Sequence, residues 1–330
     1  MEQTLNARNI DALCASFQEA RIILSAAELD VFSKFRSGPR SVKELCELYG
    51  WNTRALQILL DALAAMGFLS KQGESYSIED HMSKLLDSDS EESILPMLLH
   101  RVHMWNSWSN LTPIVTGNYD FESFFKAPRS RDDMEAFIGA MEVIGQQKAR
   151  EIAKDINLQD RRKLLDIGAG SGVYSRALLE LNPALTATLF DLPVVIEMTR
   201  DKMSKSNMAH RIRYAEGDYN TDTLPSGHDV ALLSAIIHIN GRDKNRSLFA
   251  KAFEALQPNS LLIIRDHVME DSRISPEDGA IFAVNMLVAT REGNTYTFTE
   301  VSEDLMAAGF HDIRLVREGS SMDQLITAIK

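Results

Sequence analysis

Cysteine is scarce in this sequence and shows no pattern. Cys14 and Cys46 are the two cysteines of a 330-residue chain, so neither a disulfide framework nor a cysteine metal site is expected. This scarcity is typical of proteins from a reducing compartment, and we expect a cytoplasmic location. Because the first nine residues are polar, we expect no signal peptide. No apolar run approaches the ~18 residues that span a bilayer, so we expect no transmembrane helix.

The sequence also has fewer basic than acidic residues. The chain has 47 aspartates and glutamates against 35 lysines and arginines, a formal net charge of −12. So acidic a protein binds polyanions poorly, which argues against nucleic acids and anionic membranes as partners. The composition is that of a globular protein, with 45% hydrophobic residues, and the length suggests about two domains.

Residues 41–78 follow a pattern of helix, turn, helix and hairpin. Ser41 and Glu44 have the spacing of a capping box, Asn52 or Thr53 begins a second helix, and Gly73 turns a short hairpin. This order is typical of a winged helix. The span carries three basic residues against four acidic ones, whereas DNA binding needs several phosphate contacts. We therefore interpret it as a packing or dimerisation module rather than a DNA-binding one.

Helical periodicity continues to about residue 157. The stretch 100–128 is rich in aromatic residues, some of which could line an apolar pocket for a flat substrate. A long helix is expected over residues 131–155, directly before the pattern changes.

From Leu164 onward, strands alternate with helices. The predicted strands are KLLDIG, ATLFDLP, IRYAEGDY, HDVALLSAII and SLLIIRDHVM, followed by DIRLVREG and MDQLITAIK as a hairpin at one edge. This alternation predicts an α/β fold of the Rossmann type, with a parallel sheet covered on both faces. Ligands of such sheets bind at the carboxyl ends of the strands.

The first of these strands runs into a glycine loop, Gly168, Gly170 and Gly172, preceded by Asp166. Glycines let the backbone turn sharply and approach a ligand closely. The spacing is Gly–x–Gly–x–Gly, whereas a dinucleotide loop is usually Gly–x–Gly–x–x–Gly. A carboxylate at Asp166 would repel a phosphate and attract an ammonium or sulfonium cation.

Two further carboxylates end the next two strands. Asp191 is placed to accept both hydroxyls of a ribose, and Asp218 to accept an adenine amine. A ribose, an adenine and a cation without phosphates together describe S-adenosylmethionine. Either aspartate alone could be a solvated loop residue, and a nicotinamide cofactor is the alternative ligand.

These motifs occur in one order along the chain: LLDIGAGSG, LFDLP, EGDYN, LLSAIIH, LLIIRDHVM, NML and YTFTEVSEDLMAAGF. In that order they resemble the small-molecule O-methyltransferases of the class I S-adenosylmethionine-dependent fold. That family includes plant caffeate and flavonoid enzymes, acetylserotonin methyltransferase and bacterial antibiotic-tailoring relatives. The resemblance covers nearly the whole chain, because the family also carries an N-terminal winged-helix dimerisation domain. It implies a homodimer and a small-molecule methyl acceptor.

Three parts of the chain are expected on this basis. Residues 1–95 would form the winged-helix dimerisation domain. Residues 96–157 would be linking helices that contribute to the acceptor pocket. Residues 158–330 would form the S-adenosylmethionine-binding catalytic domain.

The resemblance implies a catalytic base, His238, at the end of the fourth strand, and an acidic residue, Asp266, that orients it. A neutral imidazole suits proton removal from a hydroxyl near pH 7. Three positions depart from the family pattern: Thr295 replaces a second acid, and Ile239 and Asn240 replace the aspartate and tryptophan that usually follow the histidine. His267, the neighbour of Asp266, is expected to point away, because side chains alternate along a strand.

The remaining expectations concern the lining of the site. Cofactor contacts are expected from Asp166, Gly168, Gly170, Gly172, Asp191, Leu192, Asp218, Tyr219 and Ser234. Acceptor contacts are expected from Met141, Phe282, Asn285, Met286 and Trp105, with His103 a looser candidate. The methionines could equally be core filler. No metal site is expected, because His100 and His103 lack further ligands in a suitable spacing.

Two other functions remain open at this point. The departures at Thr295 and Ile239 fit a relative that methylates nitrogen, sulfur or carbon, or that catalyses a reaction other than methylation. A more distant alternative is a winged-helix regulator that senses a ligand.

Overall fold

The computed structural model describes residues 5–121, 131–158, 160–204 and 206–330. The end of the aromatic stretch 100–128 therefore lies outside the described residues. Internal contacts divide the chain into two units, Met1–Trp105 and Asn106–Lys330.

The first unit is mainly helical. Its helices are α1 (Ala7–Ala15), α2 (Phe17–Glu28), α3 (Val42–Tyr49), α4 (Thr53–Ala65), α5 (Asp80–Leu86) and the start of α6 (Leu95–Trp108). Its strands are β1 (Arg40–Ser41), β2 (Ser70–Gln72) and β3 (Ser75–Ser77), which pair antiparallel in the order β1-β3-β2.

Local sequence signals set the ends of these elements. The predicted capping box is confirmed: the Ser41 hydroxyl accepts from the Glu44 N–H, and the Glu44 carboxylate accepts from the Ser41 N–H at 2.7 Å. Gly50 ends α3 in the left-handed conformation and Asn52 caps α4. Gly73, with φ 60°, lies in the predicted hairpin turn between β2 and β3.

The second unit alternates strands and helices, as predicted from Leu164 onward. Its helices are α7 (Leu111–Val115), α8 (Arg131–Asp155), α9 (Val173–Leu181), α10 (Pro193–Met203), α11 (Arg242–Ala255), α12 (Glu277–Ala289) and α13 (Phe298–Ala307). Its strands are β4 (Lys163–Ile167), β5 (Thr186–Asp191), β6 (Ile212–Glu216), β7 (His228–Ser234), β8 (Leu256–Asp266), β9 (Val268–Met269), β10 (Tyr296–Thr297), β11 (His311–Arg317) and β12 (Gln324–Ile329).

Seven of these strands form one sheet, in the order β11-β12-β8-β7-β4-β5-β6. The pairs from β8 to β6 are parallel, and β12 runs antiparallel to both β8 and β11. This confirms the predicted parallel sheet with a hairpin at one edge. Strand order reverses at β4, which lies between β5 and β7, so the carboxyl end of β4 marks the crevice where such folds bind ligands.

Apolar side chains cover both faces of this sheet. Leu164 and Leu165 are consecutive and fully buried, yet they belong to two different core clusters. Successive strand residues point to opposite faces, so a fully covered sheet requires a continuous apolar run. The sequence KLLDI supplies that run and ends at the glycine loop. Among the described helices, none has the length and apolar character needed to cross a bilayer.

Candidate active site

The glycine loop after β4 places backbone without side chains at the carboxyl end of β4, where the strand order reverses. Gly168, Gly170 and Gly172 all have positive φ, at 73°, 53° and 72°. A Cβ on Gly168 would lie 2.3 Å from Cδ1 of Ile236, so the loop packs tightly against the chain leaving β7. Apart from its chain neighbours, no described residue has an atom within 4 Å of the Cβ position of Gly170, so the backbone there faces open space.

Asp166 ties the strand before this loop to the helix after it. Its side chain is 2% exposed, and Ser175 of α9 donates a hydrogen bond of 2.6 Å to its Oδ2. Burial raises the pKa of Asp166 to about 7, the nearby charge of Asp191 adds to that rise, and the Ser175 hydrogen bond opposes it. The carboxyl therefore carries only a partial charge near neutral pH, and it fixes the shape of the loop.

Asp191, at the end of β5, faces the same loop. Its Oδ2 accepts from the Gly170 N–H at 2.8 Å and its Oδ1 from the Leu192 N–H at 2.7 Å. Burial raises the pKa of Asp191 despite these two hydrogen bonds, and the charge of Asp218 contributes to the rise. Each carboxylate oxygen accepts a second hydrogen bond, so two positions remain for hydroxyl donors. The Leu192 side chain is 40% exposed.

Asp218 and Tyr219 follow the carboxyl end of β6, at the same end of the sheet as the glycine loop. Asp218 Oδ1 accepts from the backbone and side-chain amides of Asn220 at 2.8 and 3.1 Å. The Tyr219 ring lies 3.8 Å from the Cβ position of Gly168. Burial raises the pKa of Tyr219 to about 12, and the charges of Asp191 and Asp218 add to that rise. The structure thus brings together the glycine loop, both predicted carboxylates and Tyr219.

Ser234, the last predicted cofactor residue, is bound to a buried arginine. Arg265 donates from Nη1 to Ser234 Oγ at 3.1 Å and from Nη2 to the Met322 carbonyl at 2.6 Å. Its guanidinium lies 4.3 Å from the ring centroid of Tyr174, and burial lowers its pKa. Sequence reasoning missed Arg265. Its only signal was a cation within the apolar strand LLIIRD.

The predicted pair of His238 and Asp266 is brought together in the buried interior. His238 is 6% exposed and Asp266 is 0% exposed, and His238 Nδ1 lies 2.8 Å from Asp266 Oδ1. A carboxylate only accepts hydrogen bonds, so Nδ1 carries a proton, and in the neutral imidazole Nε2 is then the nitrogen with the lone pair. No hydrogen bond from the described residues reaches Nε2.

Charges around Asp266 favour its anionic form. Burial is the largest influence and by itself would raise its pKa, but the neighbouring groups together, His238 first among them, hold the pKa below the usual range. The His267 N–H, which donates to the same Oδ1 at 2.8 Å, and the Arg265 charge act in the same direction. A stable carboxylate beside Nδ1 is suited to balance an imidazolium.

Two buried asparagines hold the 3-10 turn that carries His238, Ile237–Ile239. Asn245 Nδ2 donates to the Ile237 carbonyl at 2.8 Å, and Asn240 Nδ2 donates to Asn245 Oδ1 at 3.2 Å. The Tyr296 hydroxyl donates to the Asn240 carbonyl at 2.5 Å. This network fixes the position of the histidine, although the usual acid and tryptophan are absent from the sequence after it.

Thr295 is buried beside this turn. The N–H of the preceding residue, Asn294, donates to the His238 carbonyl at 3.0 Å. The position therefore lies next to the histidine and supplies a hydroxyl in place of a second carboxylate.

Phe282 of α12 forms an aromatic wall against the histidine. Its ring meets His238 edge-on, with 4.9 Å between centroids and 89° between planes, and lies 4.8 Å from the His267 ring. The prediction that His267 points away is wrong, because β8 ends at Asp266 and the alternation of side chains stops there. Burial lowers the pKa of His267 to about 4, so its ring is neutral near pH 7.

The other predicted acceptor residues lie in three places. Asn285 follows Phe282 on α12 and accepts a hydrogen bond of 3.0 Å from Trp108 Nε1, while the adjacent Met286 is buried. Met141 is half-buried on α8. Trp105 belongs to the first unit and packs against the core of that unit.

A metal is not suggested by the side chains. In the described ranges, no group of three or more histidine, cysteine, aspartate or glutamate side chains is arranged to hold one.

Comparison with known protein families gives one match at the level of a domain. Residues 114–311 match the model of the O-methyltransferase domain. The matched residues include the glycine loop, His238, Asp266 and α12.

Individual relatives extend over nearly the whole chain. The tetracenomycin polyketide synthesis 8-O-methyl transferase of Streptomyces glaucescens is 30% identical over 308 residues, covering 92% of this chain and 91% of its own. The 3-hydroxy-5-methyl-1-naphthoate 3-O-methyltransferase of Streptomyces sahachiroi is 27% identical, covering 93% and 90%. The crystal structure of human N-acetylserotonin methyltransferase superposes with a TM-score of 0.84 at 22% identity, covering 100% of this chain and 99% of that one.

Proposed function

The chain belongs to the O-methyltransferase domain family, and we propose that it methylates a hydroxyl of an aromatic or polycyclic small molecule, with S-adenosylmethionine as cofactor. The proposal rests chiefly on the His238–Asp266 pair, which leaves Nε2 of a buried imidazole free to accept a proton. Two relatives are named for acting on a polyketide and on a hydroxynaphthoate, which favours a flat, fused-ring acceptor.

The cofactor side offers partners for the ribose and the adenine of an adenosine ligand. Open space beside Gly170 admits a ligand against the backbone, and Asp191 retains lone pairs for two ribose hydroxyls. Asp218 would receive the adenine amine, and the exposed Leu192 and the Tyr219 ring offer apolar surface to the base. Asp166, Gly168, Gly172 and Ser234 would shape the part of the site near the methionine.

His238 would act on the acceptor hydroxyl. S-adenosylmethionine, when bound, supplies a methyl group on a sulfonium sulfur. His238 Nε2 would take the proton of the acceptor hydroxyl as that oxygen is methylated, and Asp266 would balance the imidazolium charge. Phe282, with Met141, Asn285 and Met286, would hold the acceptor, and Thr295 leaves the base with one carboxylate instead of two.

A direct test uses S-adenosylmethionine with a deuterated methyl group and a panel of hydroxylated naphthalenes and anthraquinones. We expect mass spectrometry to show transfer of the labelled methyl group and NMR to place it on oxygen. If calorimetry detects no binding of S-adenosylmethionine or S-adenosylhomocysteine, the proposal is wrong.

The same experiment tests a second candidate function. In this alternative the protein uses the same cofactor to methylate nitrogen, sulfur or carbon, or to catalyse a reaction other than methylation. The observation in its favour is Thr295, because a base with a single carboxylate is weaker. A label found on carbon or nitrogen, with a rate that His238→Ala leaves unchanged, would establish this alternative.

We also propose that the chain is a homodimer joined through its first unit. Helix α1 buries none of its side chains, and Leu13 and Phe17 are 71% and 55% exposed. An apolar surface of this kind is typical of a protein interface. Light scattering should report a dimer for the wild type and for Ile274→Glu, a control at an exposed residue of the second unit, and a monomer for Leu13→Asp/Phe17→Glu.

The first unit is proposed to be a winged-helix module that does not bind DNA. Of the three basic residues in 41–78, Lys43 and Lys71 are paired with Glu47 and Asp61, which leaves little positive charge for phosphates. A ligand-sensing regulator would instead shift a DNA fragment in a gel at low salt. The proposed domain division is residues 1–95, 96–157 and 158–330. The proposed location is the cytoplasm, which agrees with the two free cysteines.

A further inference from the structure

Trp108 determines which way the side chain of Asn285 faces. The indole Nε1 lies 3.0 Å from Asn285 Oδ1 across 177 residues of sequence. An indole N–H only donates, so its partner must be the amide oxygen and not the amide nitrogen. The hydrogen bond therefore assigns the two ends of the Asn285 amide: the oxygen turns to Trp108, and the NH₂ group turns away from it.

The NH₂ group of Asn285 belongs to the wall of the acceptor site. Asn285 follows Phe282 by three residues on α12, so their side chains are neighbours on one helix face. The Phe282 ring in turn touches His238. Asn285 is half-buried, and no described residue accepts a hydrogen bond from its Nδ2. A donor without a partner thus lies one helical turn from the wall of the catalytic histidine.

We propose that Trp108 is a positioning residue that aims the Asn285 amide at a carbonyl oxygen of the acceptor. The inference rests on the proposed function and names its substrate class: aromatic compounds whose hydroxyl stands ortho or peri to a ring carbonyl. A site that presents an N–H group favours an acceptor with a matching lone pair, and an analogue without the carbonyl leaves the Asn285 donor unpaired.

This substrate class also gives the amide a chemical task. In a peri-hydroxy ketone or quinone, the hydroxyl proton is held by the adjacent carbonyl in an intramolecular hydrogen bond. An N–H that occupies the carbonyl oxygen competes with that bond. The hydroxyl proton is then available to Nε2 of His238, which accepts it without help from a second carboxylate at position 295.

The test compares two probes that differ in the carbonyl groups, 1-hydroxyanthraquinone and 1-hydroxyanthracene. For the wild type we expect kcat/KM to favour the quinone by about tenfold or more, the usual worth of one well-placed hydrogen bond. Asn285→Asp keeps the shape and the bond to Trp108 but removes the donor, so it should abolish this preference. Trp108→Phe should reduce the preference severalfold, because the amide is then free to rotate.

Trp51→Phe is the matched control, a tryptophan of the first unit whose ring stacks on Tyr49, and it should keep the wild-type preference. A role of Trp108 in folding alone would lower kcat/KM for both probes equally, and that result would overturn the inference. So would equal kcat/KM for the two probes in the wild type, or failure to methylate the quinone although S-adenosylmethionine binds. Absence of S-adenosylmethionine binding would instead contradict the proposed function.

Discussion

Asp166 and Asp266 end two strands of one sheet, and burial has opposite outcomes for them. Both side chains are almost completely inaccessible to solvent. The pKa of Asp166 rises to about 7 through burial, since its one side-chain partner is the neutral Ser175 hydroxyl. The pKa of Asp266 falls despite burial, because the imidazole of His238, the His267 N–H and the charge of Arg265 stabilise its anion. The partners, rather than the depth, decide which carboxylate keeps its charge.

Because their charge states differ, the two aspartates have different roles. Asp266 stays anionic and can balance an imidazolium at His238. Asp166 is close to neutral at pH 7 and holds the glycine loop in shape through Ser175. The substitutions below measure how far the two roles differ.

The largest effect is expected from Asp266→Asn. The amide cannot balance a protonated His238 and no longer fixes its tautomer, so kcat should fall by about 10²- to 10⁴-fold. Binding of S-adenosylhomocysteine, measured by calorimetry, should stay unchanged. Asp271→Asn, at an exposed position beyond β9, is the matched control. A kcat for Asp266→Asn within about threefold of the control would remove Asp266 from the mechanism.

Asp191→Ala probes a third strand-end carboxylate, on the cofactor side. It should weaken S-adenosylhomocysteine binding by about 100-fold or more, the worth of two hydrogen bonds to a charged acceptor. Asp201→Ala, an exposed aspartate on α10, should bind normally in the same calorimetric titration. Equal affinities for the two variants would show that Asp191 does not hold the ribose.

Asp166→Asn should change how the free energy of unfolding depends on pH. The folded pKa of about 7 exceeds the unfolded value of 3.8, so the folded state binds the extra proton between these values. The stability from this group is complete below the unfolded pKa and is lost as pH rises through about 7. From pH 5 to pH 7, the wild type should therefore lose about 2 kcal/mol relative to Asp166→Asn.

Denaturant unfolding at pH 5 and pH 7 measures this difference, with Asp271→Asn as the control. Parallel losses of stability in Asp166→Asn and the wild type would mean that Asp166 is ionised throughout this range. The contrast with Asp266 would then disappear.

The cofactor side of the site was predictable because its features are local in sequence. Strand periodicity placed Asp166, Asp191 and Asp218 at or just beyond the carboxyl ends of β4, β5 and β6, and the glycine spacing placed the loop. Parallel strands align their carboxyl ends, so residues distant in sequence meet there without further information.

The acceptor side depends on contacts that no local pattern carries. The bond from Trp108 to Asn285 spans 177 residues and that from Arg265 to Ser234 spans 31, and each arises only once helices and strands have packed. His267 shows a further reason, because strand alternation does not continue past the end of β8. In the first unit, local sequence patterns do not show that Leu13 and Phe17 stay exposed.

The central claim is that His238 removes the proton from the acceptor hydroxyl. The most direct measurement is the single-turnover rate of methyl transfer between pH 6 and pH 9, for the wild type and His238→Ala, with the best acceptor of the hydroxylated panel. We predict that the variant is about 10²- to 10⁴-fold slower near pH 7. Its rate should then rise about tenfold per pH unit, as the hydroxyl ionises without a base. Equal rates for the two proteins at pH 7 would contradict the account.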